Sequence, residues 1–509
     1  MALTDRFATL GTIVRRWLAA AAAHAHAAPA PSVSSPSSPE TTPIETTGSA
    51  ITWQLANGNE IHGHLDFPTA RRVSGTAFGL PMETSAGSDV DSEEGFWVST
   101  TPRQYGTLRG LLRNGHDVAL LNAQVTPVLP EHTLVGADLA LRGPGLRANT
   151  DLLFPKFRFQ VGGLTELAGV APLKLRIPRT LAKGTEFSGT WTAPTQTWTT
   201  AEGDTITLDF VATINAPSPY ELRVRTSPIV TVTGTARPAP AWLRDYARPL
   251  AELTSLATTQ PQAVTWAAVG DDTGEYQLLG REITQERYDA DLPKPDALPA
   301  LFRCGPGGTT LPDLLTRWTA LANDQPVFVD YLRTVFRNPL PVTSRFVALI
   351  AALEGFHTAK HGSGPLGKKE FDREKDAVFK RLKKTEGVSE DDRAWLRQWG
   401  NYFGSYELHE RFRRLAADLP KDLQHHITAA VQPIPPLLHG IMNDPIDIWQ
   451  LMGKARNNLA HGNTPQSTDQ LTALTRLGHT LAVATALQEL GLTPTHLDAL
   501  MRTEKWSIV

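Results

Sequence analysis

Two hydrophobic periods divide the chain into a strand-like part and a helical part. From Ile51 to about Arg237, apolar and polar residues alternate in short runs bounded by glycine, proline and asparagine, which predicts β-strands. The first two runs flank Asn57-Gly58, a dipeptide typical of a tight hairpin turn. We interpret this region as a β-sandwich or barrel that includes one small helix at 101–113.

Beyond Leu311 the apolar residues recur every three to four positions, which predicts an all-α bundle. The clearest helix is expected at 342–361, between a proline and a glycine. Its apolar stripe consists of Phe346, Leu349, Ile350, Leu353 and Phe356. Further helices are expected at 311–337 (one or two), 370–384, 389–419 with a break near 400–404, 421–431, 467–491 and 493–506.

At 509 residues the chain is too long for one hydrophobic core, so we expect a multidomain α+β protein. The predicted domains are a leader at 1–50, a β-rich domain at 51–304 with a proline-rich joint near 236–241, and a helical domain at 305–509. The leader contains Arg15-Arg16 before an alanine-rich run, as in a twin-arginine export signal. Histidines interrupt that run, and we therefore favour a flexible leader.

Composition narrows the function classes. Net charge is −3, with 49 basic and 52 acidic residues, so a nucleic-acid site must be a local basic patch. The single cysteine, Cys304, excludes an internal disulfide framework and fits the reducing cytoplasm. No window approaches about 20 consecutive apolar residues, so no membrane span is expected.

No motif predicts a metal or cofactor site. His62 and His64, which flank a glycine on one strand, are interpreted as exposed strand residues.

One stretch, Ala455-Arg456-Asn457-Asn458-Leu459-Ala460-His461-Gly462, carries candidate chemistry. It ends a helix that we expect to open at Asp444-Pro445, and Gly462 suits the position just beyond the helix end. Four apolar residues form one buried face: Ile448, Met452, Ala455 and Leu459. Arg456 and His461 are roughly 140° apart around a regular helix, so they share a flank only if the last turn loosens or a second copy faces the first.

An arginine followed by a polar residue and, after three more, a histidine, near a helix end in a C-terminal helical domain, resembles the HEPN ribonucleases. The layout of a β-rich domain before this helical domain resembles the ApeA-type anti-phage proteins. The resemblance implies a homodimer or higher homo-oligomer in which two copies combine their motifs. It implies RNA cleavage without metal, leaving a cyclic phosphate and a 5′-hydroxyl, with tRNA as one candidate substrate, abortive infection as the outcome and a phage-encoded trigger as a partner.

Residue chemistry suggests a role for each group in such a site. Histidine titrates near neutrality, so His461 is the candidate general base or acid. Arginine offers a planar fork for phosphate oxygens, so Arg456 is the candidate clamp, and Asn457 is the candidate orienter. Glu354 and His357 share one face of the helix at 342–361 and are candidate supporting residues, because the family's second helix often carries an acidic residue there.

Purely structural roles remain open for the same residues. Arg456 could form a surface salt bridge while His461 caps the helix, and Glu354 and His357 could be an ordinary solvated pair. Four cations that are candidates for guiding RNA could instead form a solvated helix face; they are Lys380, Arg381, Lys383 and Lys384. Two other functions remain as alternatives: a non-catalytic HEPN-like module that binds RNA or protein, and a carbohydrate-binding β-domain.

Overall fold

A computed structural model gives the fold. It describes residues 49–54, 60–67, 71–78, 102–128, 132–146, 151–168, 173–176, 188–192, 195–218, 221–271, 274–284, 300–304, 309–337, 340–366, 368–385, 388–399, 405–421, 423–424, 427, 447–462 and 467–492. The described chain divides into two compact units, Thr42–Thr316 and one containing Arg317–Val509. The predictions for the leader and for a helix at 493–506 lie outside the described residues, as does most of the predicted helix at 421–431.

The first unit begins with a closed β-barrel. Its strands are β1 (Ser49–Gln54), β2 (Glu60–Asp66), β3 (Val73–Phe78), β4 (Arg103–Leu112), β5 (Asp117–Val128) and β6 (His132–Ala137). They pair antiparallel in the order β4-β1-β2-β3-β6, and β5 closes the ring because it pairs with both β4 and β6. The alternative between sandwich and barrel is therefore settled in favour of a barrel, to which further strands are added.

Strand alternation fills the barrel interior. Along β2, Ile61 and Leu65 are buried, whereas His62 and His64 face solvent, as expected from the period of two. Trp53 of β1 fills the centre and is 1% exposed. Gly63 is required beside it, since a Cβ there would lie 2.0 Å from the carbonyl oxygen of Thr76 on β3.

The predicted small helix at 101–113 is wrong, because this segment is β4. Its burial alternates at the C-terminal end, where Leu108 and Leu112 point inward. Leucine and arginine favour a helix locally, but β1 and β5 flank the segment on both sides and supply hydrogen bonds and apolar neighbours. Tertiary pairing overrides the weak local preference.

The sheet continues beyond the barrel through β5. The added strands are β7 (Leu139–Gly143), β8 (Leu153–Val161), β9 (Leu173–Arg176), β10 (Ser188–Trp191), β11 (Gln196–Thr199), β12 (Thr205–Ser218), β13 (Glu221–Pro238), β14 (Val264–Gly270) and β15 (Glu275–Gly280). Their order outward from β5 is β7-β15-β14-β8-β13-β12-β11, while β9 and β10 form a separate pair. Trp198 lies on β11 at the sheet edge.

Short helices from two parts of the chain pack on the added strands. They are α1 (Leu164–Ala168), α2 (Ala239–Trp242), a π-helical turn (Leu243–Ala247) and α3 (Arg248–Thr258). Trp242 Nε1 donates to the carbonyl oxygen of Phe154 on β8 (2.9 Å), and the indole stacks on Phe157. The proline-rich joint predicted near 236–241 is the passage from β13 to α2, inside one compact unit.

The C-terminal part is helical. Its described helices are α4 (Leu311–Asp324), α5 (Pro326–Arg337), α6 (Val342–His361), α7 (Lys368–Leu382), α8 (Glu390–Trp399), α9 (Leu408–Asp418), α10 (Ile448–His461) and α11 (Thr468–Glu489). The predicted helix at 342–361 is confirmed as α6, which packs against α5, α9, α10 and α11. The segment 311–337 forms two helices separated at Gln325, and Pro326 opens the second. No helix within the described ranges has the length and apolar character needed to cross a membrane.

Candidate active site

The helix that carries the motif, α10, is anchored at its start. Asp447 is the N-cap, and its Oδ1 accepts a hydrogen bond from the backbone N–H of Trp449 (3.2 Å). Its Oδ2 pairs with the guanidinium of Arg413 on α9. The predicted start at Asp444-Pro445 is wrong, because α10 begins at Ile448. Two residues, Asp444 and Pro445, lie outside the described residues.

One face of α10 is buried, and this holds the helix in the bundle. Trp449, Met452 and Ala455 are 8%, 0% and 1% exposed, and α10 contacts both α6 and α9. The Trp449 ring approaches the ring of Phe412 on α9, with centroids 6.4 Å apart. The predicted apolar face is thus confirmed at Met452 and Ala455, and the motif side chains are directed elsewhere.

The motif residues lie at the solvent-exposed end of α10. Asn457 and His461 are exposed, and Arg456 is half-exposed. Arg456 Nη1 donates to Asn457 Oδ1 (3.3 Å), so the arginine is drawn toward the flank that carries the asparagine. Within the described part of the chain, the Arg456 guanidinium has no carboxylate within 4.0 Å. The salt-bridge interpretation of Arg456 therefore has no partner among those residues.

The last turn of α10 stays α-helical. Gly462 follows it with φ +65°, and its N–H donates to the carbonyl oxygen of Asn458, as in a regular left-handed helix end. Arg456 and His461 consequently remain roughly 140° apart, whereas Asn457 and His461, four residues apart, lie on the same flank. Of the two ways to bring arginine and histidine together, the loosened turn is absent from α10.

The two supporting candidates lie in a buried cluster between α6 and α9. Arg411 of α9 is 6% exposed, and its Nη1 donates to Glu354 Oε1 (3.2 Å) and Thr358 Oγ1 (2.8 Å). Its Nε donates to the carbonyl oxygen of Tyr406 (3.1 Å). Glu354 is therefore bound to α9, which in turn holds the N-cap of α10 through Arg413.

His357 lies in the same cluster and is fully buried. Its ring meets Tyr406 edge-on (centroids 5.4 Å apart) and lies beside His361 (4.7 Å), whose Nε2 is 2.7 Å from Asp418 Oδ2. Burial, together with the neighbouring His361 and Arg411, lowers the pKa of His357 to about 4, so its ring is neutral at pH 7. Among the described residues, neither ring nitrogen has a hydrogen-bond partner.

The four candidate RNA-guiding cations lie at the end of α7 and just beyond it. All four are exposed: Lys380, Arg381, Lys383 and Lys384. The structure thus groups the sequence candidates into three places, which are the end of α10, the α6–α9 cluster and the end of α7.

Sequence reasoning missed Arg411 and Arg413. They belong to a charged run, Arg411-Phe412-Arg413-Arg414, which by itself indicates a solvated helix face. Phe412 gives one weak signal. It is an apolar residue within the charged run, and in the structure it is buried in the bundle. Their carboxylate partners are more than 30 residues distant in sequence, and no local spacing points to them.

The chemistry at the end of α10 suits a phosphodiester. The imidazole of His461 can transfer a proton, and the Arg456 guanidinium, which has no carboxylate partner among the described residues, can bind phosphate oxygens. In the described ranges, no group of three or more His, Cys, Asp or Glu side chains is arranged to hold a metal ion. The groups present are thus an acid–base residue, a cation and an amide.

Comparison with known proteins assigns the helical region. Residues 347–496 match the family described as Apea-like HEPN, a segment that extends from within α6 past α11 and contains the motif. No curated protein and no solved structure matches the chain. Residues 347–496 of the helical region are therefore an Apea-like HEPN domain.

Proposed function

We propose that this protein is an anti-phage endoribonuclease that cuts RNA without a metal ion, at a site formed by two copies of the chain. The observation that carries the proposal is that, among the described residues, the Arg456 guanidinium bonds only to Asn457, while His461 is exposed on the same helix end. Side chains that only stabilise a bundle are normally paired or packed, as Arg411 is. An exposed cation next to an acid–base residue is suited to a phosphate ligand.

The reaction needs only the groups at hand. His461 removes the proton of the RNA 2′-hydroxyl, and the oxygen's electron pair forms a bond to phosphorus. The bond from phosphorus to the 5′-oxygen breaks, and that oxygen takes a proton from water. Arg456 neutralises the charge that develops on the phosphoryl oxygens, and Asn457 orients the guanidinium. The products are a 2′,3′-cyclic phosphate and a 5′-hydroxyl end.

The geometry of α10 supports a site made by two copies of the chain. Because the helix is regular to its end, Arg456 and His461 of one chain diverge by roughly 140°. A symmetric partner presents its own helix end to the first, so that Arg456 of one copy lies opposite His461 of the other. The C-terminal end of α10 is exposed, so a second copy of the chain can approach it.

The first experiment measures cleavage directly. Protein purified from phage-infected cells, in which the proposed trigger is present, is incubated with total RNA in EDTA, and 5′-hydroxyl ends are sequenced for wild type, Arg456→Ala and His461→Ala. Lys454→Ala is the matched control, since it removes an exposed cation from the same helix. We expect ends from wild type and the control only. Equal cleavage by His461→Ala, or an RNA-binding wild type that produces no ends, overturns the proposal.

A second experiment tests the two-copy site. Two inactive variants, Arg456→Ala and His461→Ala, are unfolded and refolded together. If arginine and histidine come from different copies, mixed dimers contain one intact pair, and activity returns to about a quarter of wild type. If the mixture stays inactive while wild type recovers after the same treatment, the two-copy pairing is wrong.

The role in defence follows from the activity. Cleavage of host RNA in the cytoplasm after infection stops phage production, and the β-barrel unit acts as the sensor of a phage-encoded trigger. Plaque formation on cells that express wild type or His461→Ala measures this. We expect only wild type to protect the cells. Equal protection by wild type and His461→Ala contradicts a nuclease-based defence.

A further inference from the structure

An insertion interrupts the helical bundle between α6 and α9. The backbone N–H of Tyr406 donates to the carbonyl oxygen of Ser363 (2.9 Å), so the two ends of the segment 364–405 meet. Helices α6 and α9 pack directly on each other beside this point. We call residues 364–405, which contain α7 and α8, the arm. The bundle on either side of it is continuous without the arm.

The arm contributes little to any core. None of the described residues from 369 to 398 is buried, and α7 and α8 pack mainly against each other. Trp395 is 56% exposed and Val378 is 42% exposed. More than half of the Trp395 surface faces water, although burial is what stabilises large aromatic residues, so this exposed part of the side chain is accessible to a ligand.

Charges in the arm are distributed unevenly. In the first half of α7, Arg373 pairs with Glu370 (3.8 Å) and Lys375 pairs with Asp372 (3.0 Å). At the other end, four exposed cations have no carboxylate within 4.0 Å among the described residues: Lys380, Arg381, Lys383 and Lys384. The whole chain has a net charge of −3, so this cluster departs from the average surface.

The acidic start of α8 does not neutralise the cluster by direct contact. Asp392 bonds to the hydroxyl of Ser389 (2.6 Å), which keeps the pKa of this carboxyl below its usual range. Its position in the first turn of α8 is favoured by the helix dipole. Arg393 Nη2 donates to the carbonyl oxygen of Thr385 (3.3 Å) and thereby ties the start of α8 to the loop after α7.

We infer that the arm is a single-stranded RNA-binding element in which Lys380, Arg381, Lys383 and Lys384 contact phosphates and Trp395 stacks on a base. Exposed cations and an exposed aromatic ring on two helices that pack against each other match what single strands require, whereas an acidic protein partner does not require the ring. The arm supplies substrate to the α10 motif, and this part rests on the proposed function. The RNA-binding step itself does not depend on cleavage.

Binding is measured with the full chain carrying His461→Ala, so that RNA stays intact. The probe is a fluorescein-labelled single-stranded RNA, titrated at several salt concentrations. In the test variant all four arm cations are changed to glutamine. The matched control changes four exposed arginines of the barrel unit, Arg71, Arg103, Arg113 and Arg281, to glutamine, which alters the net charge equally.

We expect the test variant to bind at least tenfold more weakly, and the slope of log K against log salt to decrease by about 3 units, since four phosphate contacts are lost. The control keeps the parent slope. Trp395→Ala is expected to weaken binding at least about fivefold. Because none of the described residues from 369 to 398 is buried, melting temperatures stay at the parent value, and the variant with Lys380, Lys383 and Lys384 changed to arginine retains full affinity.

The outcomes separate the two proposals. Unchanged RNA affinity and slope in the test variant overturn the arm proposal, even if wild type cleaves RNA. Arm-dependent binding by a protein that never cleaves RNA supports the arm and refutes the proposed nuclease. If the test variant instead loses an acidic protein partner while its RNA affinity is unchanged, the arm is a protein-docking element and the inference is wrong.

Discussion

The helical region contains two sites built from the same residue types in opposite environments. In the α6–α9 cluster, defined as Glu354, His357 and Arg411, the arginine has three hydrogen-bond acceptors and the histidine is buried and neutral. At the motif end, defined as Arg456, Asn457 and His461, the arginine bonds only to its neighbour Asn457 among the described residues, and the histidine faces solvent.

This difference shows that residue type alone does not distinguish a structural site from a catalytic one. A buried, paired guanidinium stabilises the bundle, because removing its partners leaves an uncompensated charge. An exposed guanidinium contributes little to stability and is available for a ligand. If this contrast is correct, substitutions in the two sites will affect different measurements.

The largest effect is expected at the motif end. Arg456→Ala and His461→Ala should each lower the cleavage rate between about a hundredfold and ten-thousandfold, as removal of an acid–base or charge-stabilising group does. Stability should change by less than about 0.5 kcal/mol, since His461 is exposed and Arg456 is half-exposed. RNA cleavage and urea unfolding of the same samples check this. If these variants lose as much stability as Arg411→Ala, the two sites do not differ as described.

The reverse pattern is expected for Arg411→Ala. The substitution leaves the Glu354 carboxylate without its partner and removes the link to Tyr406, so the free energy of unfolding should fall by about 2–3 kcal/mol. Urea unfolding followed by circular dichroism measures it, with the exposed Arg476→Ala on α11 as control. Cleavage per folded molecule should fall far less than in His461→Ala. Unchanged stability shows that the cluster is not structural.

The third prediction concerns acid. The folded state lowers the pKa of His357 to about 4, whereas the unfolded chain titrates near 6.5, so the unfolded state binds more protons between these values. Stability is therefore complete above pH 6.5 and decreases as pH falls toward 4, by on the order of 2 kcal/mol at pH 4.5. The charged or titratable groups around the ring are His361, Tyr406, Arg411, Arg414 and Asp418.

Unfolding free energies at pH 7.0 and 4.5, for wild type and His357→Gln, test this. We expect the variant to be less dependent on pH. Some dependence persists, because burial also lowers the pKa of His479 to about 3. An identical pH dependence in both proteins shows that His357 is not the titrating group.

The smallest effect is expected at the start of α10, which connects the two sites. Asp447→Ala removes the N-cap and the partner of Arg413, and should cost about 1 kcal/mol. Asp447→Asn retains the cap acceptor and loses only the charge, so it should cost less. Thermal melting of both variants measures the difference. If alanine and asparagine are equally destabilising, the ion pair outweighs the cap.

Periodic features were predictable from sequence, and features that depend on distant partners were not. The stripe from Phe346 to Phe356 is sufficient to predict α6, because one buried face specifies both the helix and its orientation. The segment 101–113 was misassigned because its strand is stabilised by β1 and β5, not by its own residues. Closure of the barrel depends likewise on the pairing of Gln124 with Gly136, twelve residues apart.

For the candidate site, the sequence alone determined which side chains are present, where the motif helix ends and that its apolar face points inward, since helical spacing and a C-terminal glycine are local properties. The tertiary contacts add that Arg456 bonds only to Asn457 among the described residues, whereas Arg411 is buried and bonded to Glu354. Pairing and burial are set by what α6 and α9 bring near each side chain, and such neighbours are not encoded in the spacing of the motif itself.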